Sequence, residues 1–349
     1  MIQASLQVTM RSLAIGALGG ITFQFAGLPL PWMLGPLMAN MIASARGLDV
    51  SVSERLRNAF LGVLGLVMGS QMTPQLTNRI IDWPLSAALL LVGIAASTAL
   101  TAAWYRRCGF DPVSAWFASA PGAMTAMILL GDKMGGNPQR IAFAQSLRVM
   151  LVILILPPLF WGLGDGAGPS EVADEVQIND LWLLLILPLV IPLGSWIRLP
   201  TPSLLAPLFL AGSLGILDVA SLQLPSWGMG IMFWVLGSAI GARFGGLSSK
   251  SMGKHLWQAG VATALALLTL GIFAELIHWV VDVPRNVAFL ALAPGGFGEM
   301  AIVAVALGLD PTFVAFHHLL RMVALMAFAP LWGRWLTKNS KLVNQKNNS

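Results

Sequence analysis

Residues 118–127 read ASAPGAMTAM, and residues 291–300 read ALAPGGFGEM. The two stretches share the pattern Ala-x-Ala-Pro-Gly at a numbering offset of 173 (291 − 118 = 173). Proline interrupts a helix because it lacks an amide N–H and clashes with the preceding turn. Each stretch also lies inside a longer apolar run. The pair therefore predicts an interrupted or re-entrant element at equivalent places in a duplicated chain.

The duplication extends to both sides of these two stretches. Leu147-Arg148 and Leu320-Arg321 keep the same offset (321 − 148 = 173). Further pairs follow in the same order at offsets of 171 to 173: Pro29/Pro200, Pro31/Pro202, Pro36/Pro207, Gly65/Gly237, Gly69/Gly241, Met127/Met300, Gly135/Gly308, Pro138/Pro311, Phe143/Phe316 and Pro157/Pro330. We expect two homologous halves, residues 1–162 and 181–337, with an acidic loop at 163–180 and a polar tail at 338–349.

The composition is that of a membrane protein. Of the 349 residues, 56% are hydrophobic and 10% are charged, whereas a soluble chain carries about 25% charged residues. In hydrocarbon every backbone polar group must be satisfied internally, so apolar runs of this length are helices. An all-α polytopic fold is predicted, with apolar runs at 2–26, 31–45, 56–70, 84–104, 112–131, 138–162, 181–197, 203–217, 227–242, 256–281, 286–306 and 311–336.

Basic residues predict the orientation, because Lys and Arg mark cytoplasmic loops. The loop 163–180 is acidic and contains neither Lys nor Arg. If each Pro-Gly element enters and leaves on one side, all the basic connections become cytoplasmic and each half crosses five times. This favours an inverted five-plus-five repeat with both termini cytoplasmic, in a bacterial inner membrane; a parallel six-plus-six arrangement stays open. The basic connections are 46–57, 105–111, 132–140, 243–255 and the tail.

Charged side chains inside the predicted spans are the next candidates for a functional site. Arg148 and Arg321 each lie about ten residues into an apolar run, where an arginine costs a few kcal/mol and must face protein, water or a partner. Gln145 and His318 precede them by three residues and share their helical faces. Glu299 lies within the second Pro-Gly element. Either these residues bind an anionic solute and a coupling ion, or Glu299 neutralises an arginine to hold the halves together.

Glycine and proline positions complete the set of candidate residues. Helix ends opened at Pro121, Gly122, Pro294, Gly295 and Gly296 would present partial positive charge and free N–H groups to an anion. The alternative is that Pro-Gly only kinks ordinary spans. Gly65/Gly69 and Gly237/Gly241 have the G-x-x-x-G spacing that allows close helix packing, and they permit a homodimer without requiring one.

The residue counts argue against catalysis and against DNA binding. Cys108 is the only cysteine, and the four histidines form no H-x-x-x-H pattern. We therefore expect no catalytic residues, no metal, no cofactor and no enzyme activity. No polar segment exceeds about 20 residues, too short for a basic module that reads nucleic acid.

The paired elements, Ser119-Ala-Pro-Gly-Ala-Met124 and Leu292-Ala-Pro-Gly-Gly-Phe297, resemble those of the AbrB family of duplicated bacterial membrane proteins. Each precedes a Leu-Arg span, and the opening Leu28-Pro-Leu-Pro-Trp-Met-Leu-Gly-Pro36 fits the same family. Members usually carry Ser-Pro-Gly-Gly, whereas this chain has Ala-Pro-Gly-Ala and Ala-Pro-Gly-Gly.

The resemblance implies kinship with the cation–proton antiporter and bile-acid-type transporter architecture. It implies a transporter of a small solute, with alternating access at the repeat interface and Na⁺ or H⁺ as coupling ion. Family members are labelled as an ammonia monooxygenase or as a regulator. The alternative is therefore a membrane-bound sensor or accessory protein that affects gene expression indirectly.

Overall fold

The computed structural model describes residues 2–72, 83–162, 178–243 and 252–347, and the regular elements in these ranges are all helices. Residues 163–177, most of the predicted acidic loop, lie outside the described residues. We number the α-helices in chain order. They are α1 (Ile2–Phe25), α2 (Pro31–Ala45), α3 (Glu54–Gly69), α4 (Trp83–Arg107), α5 (Pro112–Ser119), α6 (Met124–Lys133), α7 (Pro138–Gly162), α8 (Leu187–Trp196), α9 (Pro202–Ile216), α10 (Ser226–Ala242), α11 (Met252–Val281), α12 (Arg285–Leu292), α13 (Phe297–Ala306) and α14 (Pro311–Asn347).

The helices follow the predicted apolar runs, with three differences. The runs 112–131 and 286–306 are each divided into two short helices at the Pro-Gly element. The run 181–197 begins as a 3₁₀-helix, Ile178–Ile186, that leads into α8. The last helix continues through the predicted tail to Asn347, because residues 334–347 contain neither the proline nor the glycine that would end it.

Helix starts keep the offset found in the sequence. Helices α5, α6 and α7 begin at positions 112, 124 and 138, and α12, α13 and α14 begin at 285, 297 and 311, a constant offset of 173 (285 − 112 = 173). Helices α2 and α9 begin at 31 and 202, an offset of 171 (202 − 31 = 171). The duplicated residues therefore occupy equivalent places in equivalent helices.

Four helical segments of the described residues are long and apolar enough to cross a membrane. They are Trp83–Arg107, Pro138–Phe160, His255–Val281 and Pro311–Trp332, and further apolar helices are shorter. A straight span needs about 20 apolar residues, so these segments identify a membrane protein that contacts the lipid bilayer.

The chain forms two compact units, and each takes helices from both halves. The first unit comprises residues 1–81, 156–248 and 301–312. In it α3 packs on α9, and α10 packs on α2.

Glycines allow the helices of these two pairs to approach each other closely. Gly65 and Gly69 lie against the carbonyl oxygens of Leu204 and Leu208, and Gly237 and Gly241 lie against those of Met33 and Leu37. All four glycines of the two G-x-x-x-G pairs thus contact backbone of the other half within the same chain.

The second unit comprises residues 82–155, 249–300 and 313–349. Its long helices α4 and α11 pack against each other, with α5 on α4 and α12 on α11. The indole Nε1 of Trp104 donates to the carbonyl oxygen of Gln258 at 3.0 Å and ties α4 to α11. This unit contains both interruptions, both buried arginines and Glu299.

Candidate functional site

The first interruption separates α5 from α6 at Pro121 and Gly122. Gly122 has φ 118° and Ala123 has φ 49°, both in the left-handed region. Glycine adopts this conformation freely, whereas an alanine there costs about 1 kcal/mol. Gly122 and Ala123 are half-buried, and Met124, which begins α6, is exposed. The chain therefore turns sharply at a point that is open on one side.

The second interruption separates α12 from α13 at Pro294, Gly295 and Gly296. Neither glycine has a left-handed φ. Pro294 and Gly295 are buried, and Gly296 is half-buried. The second interruption is therefore more enclosed than the first.

The guanidinium of Arg148, on α7, binds the end of α5. Its Nη1 donates to the carbonyl oxygens of Ala118 (3.3 Å) and Ser119 (3.2 Å), and Nη2 donates to that of Ala120 (3.3 Å). Its Nε donates to the carbonyl oxygen of Pro294 at 3.1 Å. The last carbonyls of a helix lack intrahelical partners and carry partial negative charge. Arg148 therefore caps α5 and also contacts the second interruption.

Arg321, on α14, binds the end of α12 in the same way. Its Nη1 donates to the carbonyl oxygens of Ala293 (2.6 Å) and Leu292 (3.5 Å), and Nη2 donates to that of Gly295 (2.8 Å). Its Nη2 also contacts Nδ1 of His318. Because Arg321 is 1% exposed, these partners replace the water that a charged group would otherwise need.

Gln145 and His318 make a second pair of equivalent contacts. Gln145 Nε2 donates to the carbonyl oxygen of Phe117 at 2.6 Å, and His318 Nε2 donates to that of Leu290 at 3.0 Å. Both the side chains and the carbonyls keep the offset of the repeat (318 − 145 = 290 − 117 = 173). With Nε2 protonated, His318 accepts from Arg321 at Nδ1, as the neutral imidazole requires.

The sequence predicts that Gln145 shares a helical face with Arg148 and that His318 shares one with Arg321, but it does not identify their hydrogen-bond partners. Their hydrogen bonds in the structure go to backbone carbonyls and, for Arg321, to His318. Backbone partners have no residue-type signature in a sequence. The repeat is the one sequence feature that could have indicated these contacts, since each Leu-Arg follows its Ala-x-Ala-Pro-Gly at the same distance in both halves.

The two arginines differ at Nε. Whereas Nε of Arg148 donates to Pro294, Nε of Arg321 is buried and has no hydrogen-bond partner among the described residues. It lies beside Gly122, because a Cβ placed on that glycine would be 3.4 Å from it. The first interruption therefore has a buried, unused N–H donor beside it.

The two helices that begin after the interruptions also differ. Glu299 is in the first turn of α13, and its Oε2 lies where a side chain at Gly296 would begin. A glutamate at the third position of a helix can cap it, because its carboxylate reaches back to the backbone N–H of the N-cap residue, the residue just before the helix. The equivalent residue of α6 is Ala126 (299 − 173 = 126), and Ala123, at the N-cap, makes no side-chain capping bond.

No group of three or more His, Cys, Asp or Glu side chains that could hold a metal ion occurs among the residues the structure describes.

The fold and the site together define an all-helical membrane protein with two interrupted helices. In each of them, a buried arginine caps the helix that precedes the interruption. Residues 32–337 match the family described as "Transition state regulatory protein AbrB". The chain therefore belongs to the AbrB family, as its paired Pro-Gly elements indicate.

Two relatives extend over almost the whole chain. The protein "Putative regulator AbrB" of Escherichia coli (strain K12) is 26% identical, over 91% of this chain and 93% of its own. The protein YhjN of Bacillus subtilis (strain 168) is 24% identical, over 93% of this chain and 92% of its own.

Proposed function

We propose that the protein is a secondary transporter that carries a small solute across a bacterial inner membrane, without catalysing a reaction. The observation that carries this proposal is the contact of Arg148 with both interruptions. Irregular backbone at membrane depth is tolerated only where it is buried in protein or lines a cavity. Interrupted helices at equivalent places of a duplicated chain are typical of secondary transporters.

The division into two compact units supports the same mechanism. Alternating access requires one body of the protein to move against another around a fixed site. The chain supplies two bodies, each built from both halves, and one of them contains both interruptions. In the proposed topology each half crosses five times in opposite orientation, both termini are cytoplasmic, and H⁺ or Na⁺ is the coupling ion.

The names of the relatives favour a second candidate. The family description and the Escherichia coli name both contain a regulatory term. A membrane-bound sensor would bind the same solute and change gene expression indirectly, without moving the solute.

Flux through the purified protein separates the two candidates. Proteoliposomes containing the full chain would be tested for uptake of labelled carboxylates, phosphate, amino acids and sugars, with an imposed pH or Na⁺ gradient. Protein-free liposomes are the control. We expect at least one solute class to accumulate under a gradient. A folded protein that binds a solute, moves none under any gradient and alters a reporter gene in cells would contradict transport and support the sensor.

A further inference from the structure

The two interruptions are equivalent in sequence but carry different charges. Glu299 brings a carboxylate to the start of α13, and Ala126 brings none to the start of α6. We infer that the first interruption binds the carboxylate group of a small monocarboxylate, at the start of α6 beside Gly122. This inference rests on the proposed function and names its substrate class.

The start of α6 offers unused donors to such a group. The first N–H groups of a helix have no intrahelical partner, and α6 has no side-chain cap. The buried Nε of Arg321 adds a donor beside Gly122, which has no side chain to cover it. A carboxylate that accepts from a guanidinium and from backbone N–H groups gains charge-assisted hydrogen bonds, which are about twice as strong as neutral ones.

The charge balance calls for one negative group. Arg148 and Arg321 are the charged side chains that the described part of the chain buries, and the half-buried Glu299 at the start of α13 has one formal negative charge against their two positive ones. The helix ends at the interruptions carry about half a charge each, negative at the ends of α5 and α12 and positive at the starts of α6 and α13. These partial charges cancel, so about one positive charge is left, which a monocarboxylate would neutralise.

The first interruption is also the more accessible of the two. Met124 at the start of α6 is 41% exposed, while the second interruption is lined by the buried Pro294 and Gly295. The protein therefore leaves the start of α6 uncovered, whereas the start of α13 already has the protein's own carboxylate.

The test is to give α6 a carboxylate of its own. Ala126→Glu copies the arrangement of Glu299, and Ala126→Gln is a neutral control of the same size. Affinity for acetate, propionate and lactate would be measured by titration calorimetry on the full, detergent-solubilised protein, with acetamide as the uncharged analogue. We expect wild type to bind a monocarboxylate and not acetamide. Ala126→Glu should weaken this binding by about tenfold or more, and Ala126→Gln by only about two- to threefold.

Two outcomes would overturn the inference: equal binding of acetate and acetamide by wild type, or equal weakening by the Glu and Gln substitutions. The melting temperature of the ligand-free Ala126→Glu variant shows whether weaker binding comes from misfolding. If its new carboxylate occupies the site, the melting temperature of the ligand-free variant should be at least that of Ala126→Gln. Uptake of a solute that is not a carboxylate, without carboxylate binding, would reject this inference and retain transport. Carboxylate binding without any flux would retain the site and reject transport.

Discussion

The two interruptions start from nearly the same sequence and reach different local structures. In the first, the backbone turns through a left-handed Gly122 and Ala123, and the following helix starts without a cap. In the second, two glycines keep an ordinary φ, and Glu299 lies over the helix start. The arginines that cap the preceding helices are common to both. The capping of α5 and α12 is therefore the same in both interruptions, while the starts of α6 and α13 differ.

The largest expected effect comes from removing either arginine. Arg148→Met and Arg321→Met should each lower the free energy of unfolding by about 3 kcal/mol, because buried carbonyls lose their charged donors. Melting temperatures in detergent would measure this loss. Lysine at each position is the matched control, since it keeps the charge but has no planar fork.

Hydrogen exchange sharpens the same comparison. Arg148 contacts both interruptions, whereas the hydrogen bonds of Arg321 stay in the second half. Arg148→Met should therefore speed amide exchange in residues 118–127 and 291–300, and Arg321→Met mainly in 291–300. Identical exchange patterns in the two variants would show that Arg148 does not link the interruptions.

The pair Gln145 and His318 should be exchangeable, because each donates to an equivalent carbonyl. His318→Gln should keep most of the stability, since Gln145 makes the same contact in the first half. His318→Leu should cost about 1–3 kcal/mol, because it leaves the buried Leu290 carbonyl without its donor. Melting temperatures of the two variants test this, and a Gln variant as unstable as Leu would mean that the imidazole has a separate role.

Removing Glu299 should make the second interruption resemble the first. Glu299→Ala leaves α13 without its carboxylate, and we expect a loss of about 1 kcal/mol, typical of a helix cap. Added acetate should restore part of the lost melting temperature in this variant, and Glu299→Gln, which fills the space, should respond less. If acetate stabilises the Ala and Gln variants equally, the space left by Glu299 does not bind a carboxylate.

The smallest effect concerns the left-handed residue of the first interruption. Ala123→Gly restores the residue found at the equivalent position 296 and removes the strain of a left-handed alanine. We expect a gain of up to about 1 kcal/mol, offset in part by the greater freedom of glycine in the unfolded chain. A small rise in melting temperature would agree with this, and a clear fall would indicate that the Ala123 methyl group makes contacts worth more than the strain.

Much of the fold could be predicted from local sequence signals. Apolar runs set the helices, and proline at 31, 112, 138, 202 and 311 marks helix starts. Both Pro-Gly elements interrupt their helices where predicted. Which segments form each compact unit could not be predicted. The packing of α3 on α9 and of α10 on α2 joins distant segments through contacts between glycines and backbone, and such contacts have no local sequence signature.

The sequence names the candidate residues of the site but not the atoms that they contact. Arg148, Arg321, Gln145 and His318 were recognisable as polar groups in apolar spans. Whether they bind a solute, an acid or the backbone depends on which atoms lie within about 3 Å, and residue spacing along one helix does not determine this. The absence of a hydrogen-bond partner for Nε of Arg321 within the described ranges is even less predictable, because Arg148 and Arg321 occupy equivalent positions of the repeat and yet differ at this atom.

The contact between Arg148 and Pro294 has a consequence for biosynthesis. These residues are separated by 146 positions, so the ribosome makes Arg148 long before its partner carbonyl exists. The same holds for Gly65 and Gly69, whose partners Leu204 and Leu208 belong to the second half. The first half must therefore enter the membrane incomplete, with a costly arginine only partly satisfied, and wait for the second. Two genes encoding the halves separately should yield a functional protein when expressed together, and neither half should be stable alone.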